Sequence, residues 1–447
     1  MSDEPLRVGV LSFHNSKETK AILNAVEALG HQPEWLREEN LTVQYTEDGT
    51  TLEPDVDVIA NRLLLSNTDQ PAEALGVAQT LEPLRPMLNA PAATARAAHK
   101  IATASTLSMA DVRLPRTALS TSTARLNELR EDFGPEAVFK TAIGTHGGGA
   151  WKVDTEDSLT ATVGRRRAFI QELVGREDVT PRDLRVYIVD GEIIGAMYRV
   201  AQEGDWRTNV ARGGAVVDAT DDMPAEAADL ATRAAEAVGL DYAGVDLIEG
   251  DDGWFVLETN PTAGFKGLYQ ATGVSPAPHI ARLAIERAGE QVPDDRVRAL
   301  SATLDDSTPS CKPAPEYTES DEPVVIGYTE RVVVTGTSGN ETVIAKSDTG
   351  AARTSVDLRL AADIGAGPIH TVSRVRSGSQ KGSRARPVVD LVIGIGGVQH
   401  TVAANIEDRG HMTHPVLLGR DILKNYRLDV SRRADDAESG DEEESQE

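Results

Sequence analysis

The chain has 447 residues and a formal net charge of −26. That length exceeds one hydrophobic core and suits two or three domains, and the charge excludes nonspecific nucleic-acid binding through a basic surface. Ten of the 45 basic residues are Lys and aromatics are scarce, a balance expected of a protein working in a very saline cytoplasm, where salt screens self-repulsion; ordinary acidity is the alternative.

The start, MSDEPLRVGVLSF, lacks a basic segment followed by a long apolar one, and there is no 18-residue apolar run. A cytoplasmic protein with no membrane contact is expected. The single cysteine, Cys311, allows no internal disulfide and no thiolate metal site. Residues 1–95 read as an α/β unit: a strand over Arg7–Phe13, a helix over Glu18–Leu29 closed by Gly30, a buried strand over Val56–Ala60 and a helix over Ala72–Leu84. Residues 96–290 alternate helix and strand again. Within them Pro224–Val238 is a helix, with Asp222 as its expected cap and Gly239 just past its end. Residues 291–322, rich in Pro, Ser, Thr and Asp, read as a linker. Residues 323–432 are dominated by strand-like runs: Pro323–Tyr328, Arg331–Thr335, Thr342–Lys346, Val388–Ile393 and Val398–Asn405. Residues 433–447 form an acidic tail expected to be disordered.

The most informative stretch is AGVDLIEGDDGWFVLETNP, from Ala243 to Pro261. Val245, Leu247, Phe255 and Leu257 alternate with polar positions, as in paired half-buried strands. A three-residue turn over Asp251-Asp252-Gly253 sets Asp246 opposite Glu258, with Asn260 on the same side. Two carboxylates and an amide on one face suit Mg²⁺ together with phosphate; a solvated acidic hairpin is the alternative. Upstream, Val138-Phe139-Lys140 leads into Gly144-Thr145-His146-Gly147-Gly148-Gly149. Such a loop lets backbone N–H groups approach an oxyanion, and the Lys adds a point charge; a plain flexible loop is the alternative. No Walker A sequence is present. Arg199 and Arg207 either clamp carboxylate or phosphate or reflect ordinary arginine use.

Taken in order, VFKTAIGTHGGG, QELVGREDVTPRDLRVYIVDGEIIGAMYR, GDWRTNVARGG and GLDYAGVDLIEGDDGWFVLETNPTAGFKGL resemble the ATP-grasp superfamily, and within it the RimK-like α-L-glutamate ligases, over residues 5–285. The resemblance implies an ATP-grasp fold behind an N-terminal α/β pre-ATP-grasp domain. It implies ATP and two Mg²⁺ or Mn²⁺ ions as cofactors. By matching position, Lys100 and Lys140 contact phosphates, the loop with Gly147 and Gly148 closes over them, and Gln171, Glu172 and Leu173 hold the adenine. Asp183 lies near the nucleotide, Arg207, Thr208 and Asn209 reach the phosphates or acyl intermediate, and Asp246, Glu258 and Asn260 hold the ions. Arg199 and Arg207 are candidates for gripping an acidic substrate or the tetrahedral oxyanion. Two departures are His99, where the family often has Asp, and the long polar Arg176–Arg182.

In the last third, Asp348-Thr349-Gly350 and the later run Val416–Leu423 (VLLGRDIL), with DRGHMTHP from Asp408 to Pro415, resemble the all-β retropepsin-like proteins associated with RimK, sometimes termed ATP-dependent zinc proteases. The resemblance implies a catalytic Asp348, which needs a second copy to supply its partner carboxylate. Loss of catalysis with retention of peptide binding is the alternative. His411 and His414 have no evident third zinc ligand.

The expectation is a ligase that joins glutamate to a carboxylate through an acyl phosphate. The acceptor is an acidic peptide or protein tail or a small-molecule carboxylate, and the tethered domain, in a homo-oligomer, trims or binds the product. A nucleotide-regulated peptidase and a non-catalytic nucleotide sensor are the competing readings.

Overall fold

Short runs of β-branched and small apolar residues start the chain. β1 (Arg7–Leu11), β2 (Gln32–Leu36), β5 (Val58–Asn61) and β6 (Met87–Leu88) lie in the order β2-β1-β5-β6, all parallel; β3 (Thr42–Thr46) and β4 (Gly49–Glu53) form a separate hairpin. In this computed structural model the described residues are 4–68, 70–144, 149–164, 166–175, 180–202, 206, 208, 215–311, 324–367, 369, 371–376 and 383–434. They belong to two units, Met1–Glu316 and Tyr317–Glu447. Helix α1 (Lys17–Leu29) begins at Ser16, whose hydroxyl accepts from the Thr19 N–H, and ends at Gly30, whose φ of 97° takes the left-handed form. After α2 (Pro71–Leu81) come α3 (Pro91–Ala98) and α4 (Lys100–Met109).

A small antiparallel sheet follows: β7 (Thr117–Ala118), α5 (Thr123–Arg130), then β8 (Glu136–Thr141), β9 (Ala150–Asp154), β10 (Thr162–Val163) and β11 (Arg166–Glu172), ordered β10-β11-β8-β9 with β7 also on β11. A larger antiparallel sheet has the order β14-β13-β12-β15-β16, from β12 (Arg182–Val189), β13 (Glu192–Val200), β14 (Ala215–Asp218), β15 (Tyr242–Gly250) and β16 (Gly253–Asn260). Period-two alternation divides β12: Leu184, Val186 and Ile188 pack in one core with α6 (Ala225–Val238), whose Ala227, Ala231, Ala234 and Ala235 allow close approach. Asp183 and Arg185 take the opposite face. Asp222 is not the cap of α6. Pro224 holds that position with its φ already set, and its carbonyl accepts from Ala228 N–H at 3.1 Å.

Part of the segment expected as linker is folded. After α7 (Lys266–Thr272) and α8 (Ala277–Arg287), α9 (Asp294–Ser301) buries Val297, and Val292 joins it in one core with α1 and α8. The Asn24 amide donates to the carbonyls of Asp305 and Ser307 at 3.3 and 3.2 Å. The polar composition hid this because Val292, Val297 and Leu300 form a thin apolar stripe that only an existing core makes useful. Among the described residues no helix is long and apolar enough to cross a membrane.

The second unit is a barrel. Its elements are β17 (Val325–Thr335), β18 (Asn340–Ser347), β19 (Ser355–Asp357), α10 (Leu358–Asp363), β20 (Thr371–Arg376), β21 (Ser383–Ile395), β22 (Val398–Glu407), β23 (Val416–Leu418), α11 (Arg420–Leu423) and β24 (Arg427–Arg433). The sheet runs β20-β21-β22-β19-β23-β18-β17-β24, and β21 also pairs β17, which closes the circle around Val334, Ala345, Val356, Ile393 and Val416. The two strands expected over Pro323–Tyr328 and Arg331–Thr335 are one, because Thr329 and Glu330 continue the ladder with β18. Residues 435–447, most of the expected tail, lie outside the described residues.

Candidate active site

Asp246 and Glu258 face each other across β15 and β16, as the sequence suggests, but by a different route. The turn has two residues, Asp251 and Asp252, between paired Gly250 and Gly253. Gly253 has φ 112°, and a Cβ there would stand 2.9 Å from Arg113 Nη1 and Glu226 Oε1. Such a turn alone would pair Asp246 with Leu257. A β-bulge between Asp246 and Leu247 shifts the register by one and brings Glu258 opposite instead. Leu257 and Glu258 thus both line a cleft of about 520 Å³. The Asn260 amide donates to Glu258 Oε1 at 3.2 Å and to Asp246 Oδ2 at 3.4 Å.

The cleft lies between the two antiparallel sheets of the first unit. From the small sheet come Lys140, whose Nζ donates to Gln171 Oε1 at 2.6 Å, and Glu172, Leu173, Gly144 and Gly149. The Gln171 amide is fixed in turn by Thr117 Oγ1 at 3.0 Å. Gly149 is required by packing, since a Cβ there would meet Thr141 Oγ1 at 2.3 Å. Lys100, at the start of α4, donates its ammonium to Glu258 Oε2. His99 caps that helix, its Nδ1 accepting from Ala102 N–H at 3.2 Å, so the ring does the capping work of the Asp that the family often carries.

From the large sheet come Asp183, Arg199, Asp246 and Glu258. Arg199 grips Asp183 with two nitrogens at 2.6 and 2.5 Å and reaches Asp246 at 2.9 Å. Thr208 Oγ1 donates to Asp183 at 2.5 Å. Arg185, not singled out from the sequence, holds Asp246 with two bonds of 2.5 and 2.6 Å. Its signal was alternation: Asp183 and Arg185 are two apart on β12, and Arg185 pairs with Asp246 in the ladder. Asp183, Arg199 and Asp246 are each no more than 5 % exposed, so a carboxylate left without its guanidinium would be strongly destabilising. Gly147, Gly148, Arg207 and Asn209, the remaining expected site residues, lie outside the described residues.

The electrostatics suit polyanion and metal binding. Burial alone would raise the Glu258 carboxyl, but Lys100, then Arg185 and Lys140, hold it well below the usual range. Burial and then Lys100 lower the Lys140 ammonium to about 8, against the pull of Glu258 and Asp246. Glu258 is therefore anionic, and Asp246 and Asn260 converge on it. Arg185, Arg199, Lys100 and the Asn260 amide already bond these carboxylates, so a hard cation would take their oxygens by displacing some of those contacts, beside two ammonium groups suited to phosphate.

In the barrel, Asp348 follows β18; its N–H donates to Leu418 O at 3.0 Å, and its carboxylate accepts from Gly350 N–H at 2.9 Å. Arg420 Nη1 donates to the carbonyls of Thr349 and Gly350 at 2.9 and 3.0 Å, and Asp421 receives Thr354 N–H and Oγ1. The Gly419-Arg420-Asp421 run therefore props the loop that carries Asp348.

Two family models match the chain. The RimK-like ATP-grasp domain matches residues 97–284. The retropepsin-like aspartic endopeptidase RimB matches residues 362–437, a span that starts after Asp348. The tetrahydromethanopterin:α-L-glutamate ligase of Methanocaldococcus jannaschii is 34 % identical over 211 residues, 45 % of this chain and 70 % of that protein. The ribosomal protein bS6–L-glutamate ligase of Escherichia fergusonii is 31 % identical over 199 residues, 44 % of this chain and 66 % of that one. The ATP-grasp ligase PsnB, solved with a phosphomimetic variant of its minimal precursor, Mg and ADP, superposes with a TM-score of 0.51 at 21 % identity, over 63 % of this chain and 98 % of that one. ATP with Mg²⁺ or Mn²⁺ is the cofactor set of such ligases. The chain belongs to the RimK-like ATP-grasp family of α-L-glutamate ligases and carries a RimB-like, retropepsin-like domain at its C-terminal end.

Proposed function

We propose that this enzyme adds glutamate to the terminal carboxylate of a peptide or protein. The observation that carries the reading is the convergence of Asp246, Glu258 and Asn260 beside Lys100 and Lys140 in one cleft. The acceptor carboxylate attacks the γ-phosphorus of ATP and becomes an acyl phosphate, with ADP leaving. The glutamate amine then displaces phosphate and loses a proton, leaving an amide. Asp246, Glu258 and Asn260 would hold the divalent ions, which would supply charge neutralisation at the phosphates. Lys100 and Lys140 add positive charge there, Gln171, Glu172 and Leu173 hold the adenine, and Arg199 keeps Asp183 and Asp246 aimed into the cleft. The residues beyond description, Gly147, Gly148, Arg207 and Asn209, take the phosphate-covering and intermediate-binding roles. No side chain acts as nucleophile; positioning and electrostatics carry the acceleration.

The named relatives act on chemically unlike acceptors, a pterin cofactor and a ribosomal protein, at similar identity. The fused peptidase-like barrel favours a peptide acceptor here, with the barrel binding or trimming the glutamyl product and a second copy supplying the partner of Asp348. Incubating a native extract with enzyme, ATP and labelled glutamate, then recording intact masses, tests this. Mass additions of one or more glutamyl units on a protein are expected. Label appearing on small molecules alone would sink the peptide acceptor, and ATP consumption that ignores added glutamate would sink the ligase.

A further inference from the structure

The parallel sheet of the N-terminal domain ends against the segment that follows β16, and its last residues are not explained by the nucleotide chemistry. From β1 the chain passes to β2 on one side and later to β5 on the other. The carboxyl ends of β1 and β5 therefore flank a topological switch point, where open α/β sheets take their ligands. At the end of β5 stands Arg62, 3 % exposed. Its described contacts are weak. Nη1 donates to Pro261 O and Nη2 to Ala263 O, both at 3.5 Å, its guanidinium lies 5.2 Å from the Phe265 ring centre, and Nε has no hydrogen-bond partner. Among the described residues no carboxylate is within ion-pair reach of it; Glu18 acts from farther away. A buried guanidinium without a counter-anion is expensive, and the usual remedy is an anionic ligand.

The surroundings suit such a ligand. Helix α1 points its first turn toward the end of β1, and His14 lies in that connection, close enough for its charge to be disfavoured by burial and then by Arg62. The carbonyls that Arg62 touches belong to the segment directly after Asn260, and Pro261 is one residue, roughly 3.8 Å of backbone, from that metal-ligand candidate. An anion held by Arg62 would thus lie against the segment that follows Asn260.

We propose that Arg62, with His14 at its rim, binds a carboxylate of the ligase substrates: either the α-carboxylate of the incoming glutamate or a carboxylate of the acidic acceptor. This rests on the ligase reading above. It assigns the switch point of the N-terminal sheet as a substrate subsite separate from the nucleotide cleft.

The test compares the full-length enzyme with Arg62→Gln and Arg62→Lys, measuring KM separately for ATP, L-glutamate and a synthetic peptide ending in Glu-Glu. The expected result for Arg62→Gln is a KM at least tenfold higher for one carboxylate substrate, an ATP KM within twofold, and partial recovery in Arg62→Lys. A rise confined to glutamate assigns the amine donor; a rise confined to the peptide assigns the acceptor. Unchanged values, or a joint rise for ATP and both substrates with a lower Tm, would overturn the subsite and leave Arg62 as a prop for residues 261–265. Hydrogen exchange on the nucleotide-free wild type needs neither turnover nor a stable variant. L-Glutamate or the peptide is expected to slow exchange in residues 12–16 and 261–265, and no slowing with either one would also overturn the proposal. A wild type inert toward glutamate and ATP refutes the ligase itself, and the exchange measurement reads the subsite independently of that outcome.

Discussion

The two units treat their acidic residues in opposite ways. In the ATP-grasp unit Asp183 and Asp246 are buried and held by Arg185 and Arg199, and Glu258 is held by Lys100. In the barrel, Asp348 sits at a half-buried loop and takes a backbone N–H from its own turn. The first arrangement is a matched set of charges within one chain. The second offers one carboxylate where water activation by an aspartic peptidase requires two. The described charges of the ligase cleft thus all come from one chain, whereas the proposed peptide hydrolysis would need the Asp348 of a second copy.

The largest effect should come from breaking the first set at Glu258, the proposed metal ligand. Glu258→Ala is expected to lower kcat/KM for ATP-dependent glutamate incorporation by about a thousandfold or more, since charge stabilisation at the phosphates is the main catalytic contribution. Unchanged far-UV circular dichroism would show that the fold survives. A wild-type rate in this variant would remove Glu258 from the site.

Next in size is Arg185→Met. It strips two bonds from buried Asp246 and leaves one from Arg199 and a longer one from the Asn260 amide. Breaking a buried pair costs roughly 3–5 kcal/mol, and the surviving partner places this case near the lower end. Urea unfolding measures it. The double variant with Asp246→Asn should recover part of the loss, and no recovery would mean that the pair is not what Arg185 contributes.

Arg185 also marks where sequence reading stopped. Asp246, Glu258 and Asn260 were legible because a hairpin with alternating residues leaves few ways to arrange its carboxylates. The bulge that produces the pairing was not, because a one-residue slip in β16 changes no residue type and is decided by packing. Arg185 was written in plain alternation with Asp183, yet an arginine in a strand has many readings until the neighbouring strand is known. The helix α9 was hidden in the same way, by a core formed from residues far away in the chain. Barrel closure through β17 and β21 joins segments about 60 residues apart, and no local pattern encodes it.

A smaller, graded effect is expected from pH. Lys140 is lowered to about 8, burial first and Lys100 second. Its charge is therefore lost as pH rises through about 8, well before an ordinary lysine near 10.4 would lose its own. Between those values the unfolded chain binds a proton that the folded chain does not, so this group makes the fold more stable with rising pH, while ATP binding loses a cation. The ATP KM should climb above pH 8 in the wild type and stay flatter in Lys140→Arg, whose guanidinium does not titrate there. Parallel profiles would show that Lys140 does not carry the phosphate charge.

The smallest effect on ligation tests the contrast between the units directly. Asp348→Asn should leave ATP-dependent glutamate incorporation within twofold of wild type, because no bond of the cleft network passes through Asp348. In the same preparations, cleavage of a glutamyl peptide should fall to background in the variant. In the wild type it should rise faster than linearly with enzyme concentration, as expected if two copies must meet to join their Asp348 carboxylates. Cleavage strictly proportional to enzyme concentration down to high dilution would show a second carboxylate supplied within the chain or a dimer too tight to dilute, and sedimentation at the same concentrations separates the two. Loss of ligation in Asp348→Asn would mean instead that the barrel is part of the ligase, and the division of labour between the units would have to be redrawn.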